Sequence, residues 1–289
     1  MTIRIGLAGS GQRAAGTYAP ALAGYEGVQF AGVWGRTPLA TQALAATYDV
    51  PAFGHYDDFL EQCDAVAFAV PPPAQANLAA TAARRGKALL LETPIAGDLA
   101  GAEELVRVGE RAGVFTQVAL TWRFSAAVRR FLDGDVPAVE PAGGRGRLVA
   151  PIASTNAWHA ERGLLRTGGT DLIDLLDAAL GNIAGVTAHG NPGGWVGLFL
   201  EHQIGRVSEA SLYAGAPQTV RQAEVEVYGP GGAARIDLSD CGGQEDITTM
   251  ISEFVDALDR NAAPVLDVQH GLHLQNVIEE AESYLLLAG

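Results

Sequence analysis

The sequence predicts an α/β fold, in which a doubly wound parallel sheet with crossover helices precedes a second α/β domain with a mainly antiparallel, open sheet. Over the first 120 of the 289 residues, apolar strand-like runs alternate with alanine-rich helical stretches, which is typical of a parallel sheet. Beyond residue 120 the apolar segments are joined by short turns, which indicates antiparallel strands. We therefore expect two domains, residues 1–120 and residues 121–289.

The glycine turn after the first predicted strand is the most informative local signal. An apolar run at residues 3–8 leads into residues 9–14, Gly-Ser-Gly-Gln-Arg-Ala, and an alanine-rich helical stretch follows. Gly9 allows a tight turn, Gly11 lets a pyrophosphate approach the backbone, and Ala14 lets the helix pack closely on the strand. The layout predicts a dinucleotide-binding loop of the Rossmann type, with an ordinary glycine turn as the alternative.

The remaining elements of the first domain continue the alternation of strands and helices. The second helix is expected to start after Thr37-Pro38, because threonine caps helices and proline suits the first helical position. A later helix is expected to begin near Asp98, whose carboxylate can cap it. The strands are expected at residues 3–8, 28–34, 65–70, 88–91 and 114–120.

In the second domain, a short helix at residues 125–132 leads to a Pro- and Gly-rich stretch, residues 136–146, that we expect to be a mobile loop. Turns at residues 205–206 and 230–232 predict two hairpins. Helices are expected at residues 125–132, 171–180, 246–260 and 272–287, and strands at residues 148–154, 195–204, 207–213, 222–228 and 233–238.

Composition and charge argue against several classes of function. The formal net charge is −14, whereas nucleic-acid binding needs clustered Lys and Arg, so no nucleic-acid partner is expected. The chain has no apolar run of about 18 residues and no secretory signal, so we expect a cytoplasmic protein without a membrane partner. Cys63 and Cys241 lie far apart without metal-ligand spacing, so no metal site is predicted and both are expected to be buried or bystander thiols.

The end of the second strand bears on the choice of cofactor. Folds of this kind that bind NAD place an acidic residue there, which bonds the ribose 2'-hydroxyl. This chain has Gly35 in the place of the acid and Arg36 just beyond it. A guanidinium pairs with a 2'-phosphate, so we expect NADP rather than NAD, with Arg13 adding positive charge near the phosphates. The alternative is that Arg36 is a surface residue beside a helix cap.

The sequence resembles the Gfo/Idh/MocA family, which includes glucose-fructose oxidoreductase and inositol dehydrogenase. The likeness spans nearly the whole chain and rests on residues 9–11, 70–72 (Val-Pro-Pro), 86–94 (Gly-Lys-Ala-Leu-Leu-Leu-Glu-Thr-Pro), 122–125 (Trp-Arg-Phe-Ser) and 169–174 (Gly-Thr-Asp-Leu-Ile-Asp). The resemblance implies hydride transfer between a nicotinamide and a carbonyl or alcohol, often on a sugar or cyclitol. It also implies a homodimer or homotetramer formed through the C-terminal sheet. The glycine motif, the end of the second strand and the resemblance together give the expected cofactor-binding residues as Gly9, Gly11, Gln12, Arg13, Ala14, Arg36, Thr37, Val70, Pro71 and Glu92.

The chain departs from the family at the positions that usually handle the proton. The usual Glu-Lys-Pro is Glu92-Thr93-Pro94, and Lys87 is the only lysine of the chain. The family's Asp and His, four residues apart, correspond to Thr167 and Asp171. The resemblance therefore implies a rearranged acid-base set.

The expected catalytic residues are Asp171, His159, Thr93 and Arg123. Asp171 takes the place of the usual histidine, although capping of its helix is an equal alternative. His159 titrates in a suitable range, but a lone histidine in a loop is more often a bystander. Arg123 and Arg166 are candidates for holding an anionic substrate or an oxyanion, with a structural role as the alternative. Trp122 and Trp158 either wall an apolar pocket or pack in the core.

Three functions follow from these observations. The first is an NADP-dependent oxidoreductase that acts on a small carbonyl or alcohol with a non-standard acid-base set. The second is a catalytically altered relative, such as a lyase, cyclase, isomerase or pseudoenzyme, that keeps the fold and the cofactor site. The third is a nucleotide-binding module without a small-molecule substrate.

Overall fold

The computed structural model describes residues 2–151, 163–217, 219–262 and 264–287. The chain forms two compact units: residues 1–119 with 244–272, and residues 120–243 with 273–289. This grouping differs from the expected division at residue 120, because residues 244–272 return to the first unit. Each unit contains one six-stranded sheet.

The elements are numbered in chain order. The strands are β1 (Ile3–Ala8), β2 (Val28–Trp34), β3 (Ala52–Phe53), β4 (Ala65–Phe68), β5 (Ala88–Leu91), β6 (Thr116–Val118), β7 (Gly143–Val149), β8 (Ile183–Gly190), β9 (Trp195–His202), β10 (Val207–Tyr213), β11 (Gln222–Gly229) and β12 (Gly232–Asp237). The α-helices are α1 (Ala19–Gly24), α2 (Pro38–Thr47), α3 (Tyr56–Glu61), α4 (Pro72–Arg84), α5 (Leu99–Ala112), α6 (Ala126–Arg130), α7 (Val136–Ala138), α8 (Thr170–Leu180), α9 (Gln244–Arg260) and α10 (Val268–Leu287). Turns of π-helix cover Ala14–Tyr18, Phe131–Asp135 and Leu165–Gly169, and 3₁₀ turns cover Thr121–Phe124 and Gln203–Gly205.

The sheet of the first unit is parallel throughout, with the strand order β3-β2-β1-β4-β5-β6. The central strands β4 and β5 are buried along their whole length, which is why they are continuous apolar runs in the sequence. The strand order reverses between β1 and β4, and doubly wound sheets bind ligands at the carboxyl ends of the strands at such a point. The predicted Rossmann-type sheet is confirmed.

Several expected boundaries in the first unit are corrected by the structure. The strand expected at 65–70 ends at Phe68, and the chain enters α4 at Pro72. The strand expected at 114–120 is reduced to β6, and β3 was not anticipated. Thr37 precedes α2, but its side chain makes no capping hydrogen bond. Asp98 does cap α5, since its carboxylate accepts the Gly101 N–H at 2.8 Å.

The sheet of the second unit is mixed, with the order β12-β11-β7-β10-β9-β8. Only β7 and β10 run parallel, and every other neighbouring pair is antiparallel. The predicted hairpins correspond to β9–β10 and β11–β12. Helix α8 packs on one face, where Leu172, Ile173 and Leu175 are fully buried. The predicted α/β domain with a mainly antiparallel sheet is thus confirmed.

The stretch expected to be a mobile loop, residues 136–146, has regular secondary structure over most of its length. It forms α7 and the first half of β7, an interior strand of the second sheet, and the strand expected at 148–154 starts at Gly143. Its glycines allow close packing: a Cβ on Gly146 would lie 2.9 Å from Leu172 of α8, and one on Gly144 would lie 2.7 Å from the Glu226 carbonyl oxygen.

Within the described ranges, no helix has both the length and the hydropathy needed to cross a bilayer.

Candidate cofactor site and catalytic positions

The glycine loop after β1 has the geometry that its predicted role requires. Gly9 has φ +136°, and a Cβ there would lie 2.3 Å from the Ala69 carbonyl oxygen, so only glycine fits. Its N–H donates to the Trp34 carbonyl at 2.7 Å, which ties the loop to the end of β2. No atom lies within 4 Å of the position of a Cβ on Gly11. The backbone at Gly11 is therefore open to a ligand, and Ala14 is fully buried against the sheet.

The predicted cofactor residues follow four strands that end at the same edge of the parallel sheet. The glycine loop follows β1, Arg36 and Thr37 follow β2, Val70 and Pro71 follow β4, and Glu92 follows β5. Gln12, Arg13, Arg36 and Thr37 are exposed, whereas Val70, Pro71 and Glu92 are half-buried. The fold thus brings all ten predicted positions to the edge where a dinucleotide binds in such sheets.

At the end of β2, an acidic side chain in place of Gly35 would meet two hydroxyl groups that would have to move. A Cβ on Gly35 would lie 2.6 Å from Ser10 Oγ and 2.7 Å from Thr41 Oγ1. Thr41 Oγ1 lies 3.3 Å from Ser10 Oγ and donates to the Thr37 carbonyl at 3.0 Å, so these hydroxyls are held in place. Arg36 makes no ion pair or side-chain hydrogen bond within the part of the chain that the structure describes.

Gln75 of α4 organises the turn that carries Glu92 and Thr93. This fully buried side chain accepts the Glu92 N–H at 2.9 Å and donates to the Glu92 carbonyl at 2.8 Å. It also contacts the carbonyl oxygens of Ile95 at 3.1 Å and Pro94 at 3.3 Å. Sequence reasoning missed Gln75. The sequence did contain a signal for its burial: Gln75 has helical spacing to Ala79 and Ala82, which are buried.

A cluster of an exposed arginine, a half-buried glutamate and a buried tyrosine joins the glycine loop to this turn. Arg13 Nε contacts Glu92 Oε1 at 2.5 Å, and the Arg13 guanidinium lies 5.8 Å from the ring centroid of Tyr18. Arg13 directly precedes the π-helical turn at residues 14–18, and Tyr18 ends that turn. Tyr18 is fully buried, and its hydroxyl has no hydrogen-bond partner among the described residues. Burial, reinforced by the charge of Glu92, raises the pKa of Tyr18 well above its usual value.

The second unit shows where the predicted arginines lie. Arg123 Nη1 lies 3.1 Å from Asp174 Oδ1, and the Asp174 carboxylate is almost completely buried. Arg166 is 1% exposed and pairs with Glu279 at 2.9 Å and with Glu282 at 2.5 Å. Burial alone would lower the pKa of Arg166, but its bonds to these carboxylates outweigh burial and raise it. The suggestion that Arg166 contacts substrate is therefore wrong, because its guanidinium is buried and bound to two acids.

The remaining catalytic candidates have different environments. Asp171 is half-buried in the first turn of α8, whose N-cap is Gly169, so Asp171 is not the capping residue. The Thr167 hydroxyl donates back to the Gly163 carbonyl at 3.2 Å. Trp122 is 3% exposed, which agrees with core packing. His159 and Trp158 lie outside the described residues.

Residues 3–120 match the model of GFO_IDH_MocA, an oxidoreductase family with an NAD-binding Rossmann fold. The segment formed by residues 3–120 belongs to this family. No curated protein sequence matches it.

Several solved structures are similar in fold to this chain over 98–100% of its length. GenD2 from gentamicin A biosynthesis, in complex with NAD, is 18% identical, with a TM-score of 0.87 over 98% of this chain and 94% of that one. UDP-N-acetylglucosamine 3-dehydrogenase GnnA from Acidithiobacillus ferrooxidans is 16% identical, with a TM-score of 0.87 over 100% and 99%. An oxidoreductase from Agrobacterium radiobacter in complex with NAD⁺, L-tartaric acid and magnesium is 19% identical, with a TM-score of 0.85 over 99% and 97%. At these identities the likeness shows the fold alone.

Proposed function

We propose that this GFO_IDH_MocA member is an NADP-dependent oxidoreductase that acts on a small carbonyl or alcohol. The choice of NADP depends on one observation at the end of β2. There, Ser10 and Thr41 occupy the space that an acidic side chain at Gly35 would need. The exposed Arg36 beside it has a guanidinium available for a 2'-phosphate. NAD is the alternative cofactor. The contribution of Arg36 to binding distinguishes the two.

The bound dinucleotide supplies the hydride acceptor or donor, and the protein must bind it, orient the substrate and move one proton. The glycine loop holds the diphosphate, and Val70, Pro71 and Glu92 line the same edge of the sheet. Asp171 is our proposed proton acceptor from the alcohol oxygen, with His159 as the second candidate. Arg123 and Thr93 are proposed to orient the reacting oxygen.

Fluorescence titration with NADPH and NADH tests the cofactor assignment. Wild type should bind NADPH more tightly, and Arg36→Ala should weaken NADPH binding about 10- to 100-fold, the effect of losing a charge-assisted contact, without changing NADH binding. Arg111→Ala is the matched control, since Arg111 is an exposed arginine in the last turn of α5. A preference for NADH that survives Arg36→Ala would overturn the NADP assignment.

A non-redox activity is the second candidate function. It is favoured by Thr93, which stands in place of the family lysine. The only lysine of the sequence, Lys87, is already hydrogen-bonded, since its Nζ donates to the Cys63 carbonyl at 2.7 Å. A panel of sugars, cyclitols and small hydroxy acids, followed by NADPH absorbance, separates the two candidates. Turnover that falls at least about 100-fold in Asp171→Asn supports the oxidoreductase, in line with the usual contribution of general acid-base catalysis.

We also propose that the open face of the second sheet binds a second copy of the chain. Trp195, Phe199, Val207 and Tyr213 expose between 42% and 51% of their surface on this face. Arginines and glutamates on the same face pair with each other, for example Arg145 with Glu226 at 2.7 Å, which limits charge repulsion between copies. Light scattering should show a dimer or tetramer in wild type and a smaller species in Phe199→Glu. A wild-type monomer at micromolar concentration would overturn the proposal.

A further inference from the structure

The ion pair between Arg13 and Glu92 crosses the edge of the sheet at which the proposed cofactor binds. Arg13 follows β1, Glu92 follows β5, and β4 lies between these strands. The 2.5 Å contact between Arg13 Nε and Glu92 Oε1 therefore spans the carboxyl end of β4. A dinucleotide whose diphosphate lies on the glycine loop occupies this same edge. The diphosphate and Glu92 then compete for one guanidinium.

The two partners of this ion pair differ in their freedom to move. Gln75 holds the backbone of Glu92 by its N–H and its carbonyl, at 2.9 and 2.8 Å, and the Glu92 side chain is 14% exposed. The Arg13 side chain is 46% exposed and has a long, flexible stem. If the pair opens, Arg13 moves and Glu92 stays.

Tyr18 supplies a replacement partner for Glu92. Its hydroxyl is fully buried and has no hydrogen-bond partner in the described ranges, although Glu92 is close enough to raise the tyrosine pKa. The hydroxyl stays protonated and is a hydrogen-bond donor at any physiological pH. A buried donor without a partner is costly, so a Glu92 carboxylate released by Arg13 is the acceptor that Tyr18 lacks.

We propose that Arg13 is an exchangeable cation, held by Glu92 in the free protein and transferred to the diphosphate when a dinucleotide binds. Glu92 then accepts a hydrogen bond from Tyr18. Glu92 acts as an internal competitor for the cation of the site, so it lowers the affinity for the dinucleotide. This inference rests on the proposed dinucleotide site.

A double-mutant cycle in dinucleotide binding tests the exchange. The proteins are wild type, Glu92→Gln, Arg13→Met and the double variant, titrated with whichever reduced nicotinamide dinucleotide binds wild type better. We expect Glu92→Gln to bind about fivefold more tightly and Arg13→Met about tenfold more weakly. In the Arg13→Met background, Glu92→Gln should change binding less than about twofold, because no cation remains to be released.

Asp64→Asn is the matched control for this cycle. It removes one acid of the same unit, an acid that pairs at 2.7 Å with Arg4 at the start of β1, away from the glycine loop. It should change binding less than about twofold. If Glu92→Gln binds more weakly than wild type, or if it has the same effect with and without Arg13→Met, the exchange is overturned. Neither result contradicts the proposed cofactor site. No binding by any of the four proteins overturns both proposals.

Tyr18→Phe gives a second measurement, which does not depend on any change of charge. The free variant should unfold at the same temperature as wild type or higher, because it loses only an unpaired hydroxyl. Its affinity for the dinucleotide should fall about three- to tenfold, because Glu92 loses its replacement partner. A lower unfolding temperature with unchanged affinity would show that the hydroxyl is bonded in the free protein, and would overturn the exchange.

Discussion

Replacing Gln75 should loosen the turn that carries Glu92 and Thr93. Its side chain accepts one backbone N–H, that of Glu92, and shares one amide group among the carbonyl oxygens of Glu92, Ile95 and Pro94. One amide nitrogen has two N–H groups, so the side chain makes three effective hydrogen bonds. At about 1 kcal/mol each, Gln75→Ala should cost about 3 kcal/mol of unfolding free energy. For a unit of this size the unfolding temperature should fall about 6–12 °C.

Gln75→Glu refines this prediction, because it keeps the acceptor for the Glu92 N–H but turns the donor atoms into acceptors. The carboxyl would face carbonyl oxygens, so its pKa in the folded state should rise, and the variant should lose stability as the pH rises from about 5 to 8. Thermal unfolding and hydrogen exchange of a peptide covering residues 88–98 are the measurements. Asn77→Ala, on the exposed side of α4, is the control. If Gln75→Ala matches that control within 0.5 kcal/mol and its peptide exchanges as in wild type, the reasoning is refuted.

Three further outcomes follow from the structure. Gly35→Asp should lose NADPH affinity without gaining NADH affinity, because its side chain meets Ser10 and Thr41; tight NADH binding, seen by titration, would contradict the steric argument. Hydrogen bonding to Asp177 at 2.7 Å raises the pKa of His273 above 6.5. The resulting stability is complete below pH 6.5 and is lost as the pH rises through the raised pKa, so the unfolding temperature should fall over that range in wild type but not in His273→Gln. Arg166→Met should cost about 3–5 kcal/mol, since it leaves two carboxylates around a buried position without their cation, and an unchanged urea midpoint would contradict this.

Residues 1–119 of the first unit were largely predictable because their signals are local. A buried parallel strand is a continuous apolar run, and Gly9 and Gly11 mark a turn whose backbone requirements are specific. The positions at the carboxyl ends of the strands follow from the parallel topology without knowledge of any side-chain contact. The roles of Gln75 and Tyr18 could not be read this way, because each depends on partners far away in the sequence.

The second unit shows why composition can mislead. Residues 136–146 have the glycine and proline content of a loop, yet the glycines of β7 are needed for contact with α8 and β11. Arg166 has the residue type of an anion-binding group, but its acidic partners lie more than a hundred residues later, in α10. Helical periodicity predicts that a position faces inward. It does not identify the charged residue, distant in the sequence, that the side chain contacts.

The close packing of β7 has a consequence for efforts to make the protein more heat-resistant. Exchanging glycine for alanine in flexible segments is a common stabilising strategy, because it restricts the unfolded chain. At Gly144 and Gly146 the same exchange would push a methyl group into a carbonyl oxygen at 2.7 Å and a leucine at 2.9 Å. Alanine substitutions chosen by glycine content alone would therefore be destabilising in β7. Gly134 is a better first choice, because no atom lies near the position of its added Cβ.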